Sequence, residues 1–189
     1  DPFRKALRKA ILQLYMRASD ITKMTQFMSR VAATPDLIPG VLQETLMSLF
    51  YQLLSVDTVI GRYLMDPVAA ATHIVLVAFM TLTLLRFDQQ RRKQYILVSR
   101  QCASRLSSSD FMEAMAGHSE ARFWMLMAAG GTILEDQDHH WLVPQLKETM
   151  NTLGISAWSQ AISILKRYPW VPGLQDESCH RLWVMCRDK

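Results

Sequence analysis

The chain has 189 residues, half of them hydrophobic and a fifth charged, with a formal net charge of +4. This balance excludes a disordered or collagen-like chain and is that of a soluble globular protein, with length enough for one domain, 1–189, to bury a core without disulfide or metal staples. The charge is uneven: residues 1–30 carry seven Lys/Arg against two Asp, and residues 86–105 carry six against Asp88 alone. Two such patches could face nucleic acid, a membrane surface or an acidic partner, but solvated helix faces are their ordinary meaning.

In chain order, the apolar residues recur at helical spacing and almost nowhere alternate as in strands. Phe3, Leu7, Ala10, Ile11, Leu14 and Tyr15 form one stripe, with Arg4, Lys5, Arg8 and Lys9 on the other side. Asp20 is placed to cap a second helix that runs to TPDLIPG. Pro39-Gly40 opens a third, with Val41, Leu42, Thr45, Leu46, Leu49, Phe50 and Leu53 as its stripe. Pro67 then starts a long helix whose residues 68–85 hold no formal charge when His is neutral. Eighteen uncharged residues followed by Arg86, Arg91, Arg92 and Lys93 approach the pattern of a membrane span. Thr72, His73, Thr81 and Thr83 within the run, and amphipathic helices on either side, favour a helix buried at the centre of the protein, with no membrane span.

Residues 89–106 read as a basic amphipathic helix, SSSD at 107–110 as a turn and cap, and a short helix ends at Gly117. Helices follow at 119–134, about 138–153, 156–168 and 176–187. The expected architecture is therefore all-α, a single domain of nine to ten helices around a buried central helix. No repeat of 20–50 residues suggests a solenoid.

Catalytic and metal-binding patterns are weak. No GxSxG, HExxH, GxGxxG or phosphate-loop motif is present. Glu135, Asp136, Asp138, His139 and His140 contain metal-ligand types, but adjacent His side chains diverge by about 100° on a helix, so a polar turn with a cap is the better reading. The three cysteines, Cys102, Cys179 and Cys186, form no CxxC pair, and their odd number speaks for a reducing compartment. Cys179 and Cys186 share a helix face but lie about 10 Å apart along it, too far for one zinc ion, so both read as small core hydrophobes. No bound metal and no hydrolytic activity are expected. A helical enzyme acting on an apolar substrate would need paired acidic motifs, and the chain holds a single acidic cluster.

Gly130-Gly131 stands out. Each Gly costs a helix about 0.5–1 kcal/mol relative to Ala, so the smooth AAGG surface at 128–131 implies close approach by something. The long apolar helix 68–85 is the expected partner. Phe79, Met80, Trp124, Met125, Met127, Gly130 and Gly131 are then the candidate walls of an apolar ligand pocket beside that contact.

The last third carries a further pattern. An aromatic-rich helix start, RFW, leads to MAAGG. A Leu-rich helix ends in the turn Leu153-Gly154-Ile155 before Trp158, a basic segment closes on Lys166, Arg167, Tyr168, Pro169 and Trp170, and the final helix carries Leu182-Trp183. Residues 120–184 resemble the C-terminal portion of fungal-specific transcription factor domains, the regulatory regions of zinc binuclear-cluster transcription factors, and are similar to the sterol-uptake regulators among them. The resemblance implies a non-catalytic, nuclear (or, before activation, cytoplasmic) regulator of transcription. It implies zinc and DNA contact only through a six-Cys cluster outside this chain, self-association into a homodimer, and a small apolar effector. The missing initiator Met and signal peptide fit an excised regulatory part, which alone should bind duplex DNA weakly and without sequence preference. Pro144 departs from the pattern. It lies where similar proteins continue a helix, so either a helix begins there or one is kinked.

Overall fold

The computed structural model describes residues 67–85 (without the side chains at 69, 80 and 82–85), 96–168, 170 and 175–187. The three helices expected before residue 61, the basic segment 1–30 and residues 86–95 lie outside these residues, and the expected total of nine to ten helices draws on them. Among the described residues there are seven α-helices, one 3-10 turn and no strand: α1 Pro67–Leu85, α2 Ile96–Leu106, α3 Ser109–Ala114, α4 Ser119–Thr132, the 3-10 turn Asp136–Asp138, α5 His139–Leu153, α6 Trp158–Leu165 and α7 Asp176–Arg187. The fold is all-α.

Local chemistry sets the helix boundaries. Pro67 opens α1, where a missing N–H leaves no bond unmade. Residues 70–79, apart from polar Thr72 and His73, are buried apolar positions, and the hydroxyl of buried Thr72 donates to Val68 O at 2.7 Å, so it brings no unsatisfied group inside. Ser108 caps α3, its Oγ accepting from Phe111 N at 3.2 Å, as the SSSD turn implied. α5 ends at Gly154, whose φ of 65° lies in the left-handed region that favours glycine, while Ile155 N donates back to Met150 O at 2.9 Å. Gln160 Oε1 folds back onto the start of α6 and accepts from Ser156 N and Ala157 N at 2.8 and 3.1 Å.

α5 begins at His139 and passes through Pro144. A helix starting at Pro144 is therefore not what forms. The segment 138–142 is not a separate turn, and the 3-10 turn precedes the helix. Pro144 falls in its second turn, where it removes one main-chain donor. The acidic part of the acidic-His cluster is a polar turn, with Glu135 N donating to Asp138 Oδ2 at 3.1 Å and Trp141 Nε1 to Asp138 Oδ1 at 3.4 Å, while His139 and His140 open α5 and Asp138 makes no side-chain cap bond to it.

α1 is buried without interruption over residues 70–79, and α4 is enclosed as well. Residues 121–129 are buried without interruption, and α1, α5, α6 and α7 all pack on it. One contiguous core cluster takes residues from all seven helices and from Trp170. α2 and α3 pack on α1, with Cys102, Leu106 and Phe111 fully buried. α2 buries only Ser99, Cys102 and Leu106, residues spaced to share one face, and turns its basic side to solvent. Among the described residues no helix is long and apolar enough to cross a membrane.

Candidate functional site

The glycine pair does receive a close approach, but from partners other than the expected one. A Cβ on Gly130 would lie 2.6 Å from Leu182 Cδ2 and 2.7 Å from Leu142 Cδ2. On Gly131 it would fall on Cys179 Sγ and lie 3.3 Å from Ser178 Oγ. The surface opposite the glycines is thus built by α7 and α5. α1 also packs on α4, but the atoms nearest a Cβ at the glycines belong to α5 and α7. The reason lies in shape: Cys179 offers a single sulfur at the point of contact, and its thiol donates to Met127 O at 3.3 Å, one turn before Gly131. A glycine there lets the thiol reach that carbonyl.

The expected pocket residues occupy the interior. Trp124, Met125 and Met127 are at most 1% exposed and belong to the contiguous core, where Trp124 stacks on Tyr168 at 5.5 Å. Phe79 is equally buried but stands outside that cluster, and the side chain of Met80 lies outside the described residues.

All three thiols are free and buried. Burial pushes Cys102 and Cys179 up to about 12 and Cys186 up to about 11, so all three are thiols, not thiolates, at neutral pH. Among the described residues no group of three or more His, Cys, Asp or Glu converges as a metal site. His180 is exposed and lies edge-on to Trp158 at 5.1 Å and stacked on Trp183 at 5.8 Å.

One open cavity is framed wholly by described residues, a cleft of about 570 Å³ between the start of α1 and the outer side of α2 and α3. Pro67, Ala70, His73 and Ile74 form its floor, the last three buried. Arg100, Gln101, Ser104, Arg105, Ser108 and Asp110 form its rim, all exposed except half-buried Ser108. None of the seven residues expected to line a pocket takes part. Gln101, Ser104, Arg105 and Ser108 recur at helical spacing, so the polar face of α2 was readable as a solvated basic face. That α1 walls it into a cleft was not, because helix pairing leaves no mark in local periodicity.

No family model matches the chain, and no curated protein or solved structure is significantly similar to it.

Proposed function

We propose that the chain is the helical regulatory domain of a zinc-cluster transcription factor, acting by binding, not catalysis, in the nucleus. Its DNA contact and zinc would belong to a six-Cys cluster elsewhere in the protein, and its own partners would be a second copy of the chain and a small effector. The observation that carries this reading is the set of tail motifs between residues 120 and 184. What supports it further is that four of the motif residues have structural jobs in one packed unit. Gly154 supplies the left-handed turn after α5. Trp170 is buried and donates to Asp176 Oδ1 at 2.9 Å, joining the basic segment to the start of α7. Leu182 packs over Gly130, and Trp183 is buried beside it in sequence. A motif whose members depend on one another in this way is more specific than its separate letters.

The test is the complete coding sequence that contains these 189 residues. The expected result is an encoded CxxCx6C half-cluster followed by its second half. A complete protein with no such cysteine cluster overturns the reading.

A further inference from the structure

We propose that the cleft between α1 and α2 binds a small organic monoanion, a carboxylate with an apolar body, gripped by Arg100 and Arg105. The inference comes from the cleft walls and goes beyond the regulatory reading; it does not depend on it.

The floor and rim differ in chemistry. On α1, half-buried Pro67 is the apolar side chain that reaches the cleft, with Ala70, His73 and Ile74 behind it at 4–7% exposure. Opposite, α2 sets two guanidinium groups and two uncharged polar side chains around the opening. Among the described residues the side chains of Arg100, Gln101, Ser104 and Arg105 meet no hydrogen-bond or ion-pair partner, in contrast to Arg122 and Arg167, each of which meets a carboxylate at 2.7–2.8 Å. Arginine stays charged at any physiological pH and presents a fork of donors that matches a carboxylate. Ser108, by contrast, is already used: its hydroxyl donates to Arg105 O at 2.9 Å and accepts from Phe111 N at 3.2 Å.

Asp110 sets the charge of the guest. With two arginines and one carboxylate on the rim, the cleft carries one net positive charge if His73 is neutral. That matches a monoanion, and Asp110 repels the extra charge of a polyphosphate. The volume is in the range of small-molecule sites, about 300–1,000 Å³. An apolar body against Pro67 with its carboxylate at the arginines satisfies both walls, whereas a cation would leave the guanidinium groups facing like charge.

The test is calorimetric titration of the whole 189-residue chain with octanoate below its micelle concentration, beside octylamine, octanol and ATP. Arg100→Gln/Arg105→Gln serves as the variant, with circular dichroism as its control; both side chains are exposed, so the fold should not change. Saturable binding of octanoate is expected, with octylamine, octanol and ATP each weaker and a Kd for octanoate raised about tenfold or more in the variant. Absence of octanoate binding up to millimolar concentration overturns the proposal. So does octanoate binding unchanged in the variant, or ATP or octylamine binding as tightly as octanoate.

Discussion

At the scale of single residues, a Cβ at Gly131 would meet Cys179 Sγ more closely than one at Gly117, Gly130 or Gly154 would meet any atom. Gly131→Ala gains about 0.5–1 kcal/mol of helix propensity, but the new methyl lands on a buried sulfur that is held by its bond to Met127 O. Overpacking typically costs about 1–3 kcal/mol, so the substitution should destabilise the protein overall. Gly130→Ala meets only the ends of two leucine side chains, which can turn aside, and should be closer to neutral. The cause can be isolated with a cycle: in a Cys179→Ala background, Gly131→Ala should lose its penalty and become neutral or stabilising. Urea unfolding of the four proteins measures the coupling, expected at about 1 kcal/mol or more. Additive effects would show that the methyl is accommodated elsewhere.

At the scale of elements, α4 and α5 are joined by an apolar seam and one ion pair across its edge. Arg122 Nη2 donates to Glu148 Oε2 at 2.8 Å. The two partners are unequal: the arginine side chain is 9% exposed, the glutamate 62%. The guanidinium therefore bears the desolvation, and its Nε is buried with no hydrogen-bond partner. Glu148→Gln should cost about 1 kcal/mol, limited by solvent screening of the glutamate, because it leaves a buried cation without its counter-charge. Arg122→Met removes the buried charge and the orphaned donor together, and should cost less than Glu148→Gln although it alters the more buried residue. Chemical denaturation of both variants decides the order.

At the scale of the whole molecule, the core draws on all seven described helices, and its three thiols make stability depend on alkaline pH. The ordinary thiol value of 9.0 applies to the unfolded chain, and burial raises it to about 12 for Cys102 and Cys179 in the folded state. Between these values the folded protein holds protons that the unfolded chain releases, so unfolding is favoured as pH rises. The thiols' contribution is complete below pH 9 and is lost progressively up to about pH 12, with a limiting slope near 1.4 kcal/mol per pH unit for each thiol. The urea midpoint of the native chain should fall more steeply over this range than that of Cys102→Ala/Cys179→Ala, which isolates the thiols from tyrosine and lysine titration. Parallel slopes in the two proteins would show that the thiols ionise without unfolding.

Much of this architecture was written in local chemistry. Periodicity placed α1 from Pro67, α5 close to His139 and α7 at 176–187, because an amphipathic helix must put its apolar residues on one face whatever it packs against. The SSSD cap and the turn at Gly154 were likewise legible, since each depends on neighbours within a few residues, and the helical spacing of Cys179 and Cys186 put both on the apolar face of α7. The glycine pair announced a close approach for the same reason: its cost to the helix is local. Which helix makes that approach was decided only by the tertiary structure. α1 and α7 both carry apolar faces, and composition favours the longer α1. The contact went to α7 because one small thiol fits over Gly131 and reaches Met127 O, a match of shape and hydrogen bonding between residues 48 positions apart in sequence. The cleft follows the same logic. The basic face of α2 is a property of its sequence, but its meeting with the floor of α1 exists only once helix packing has brought the two together.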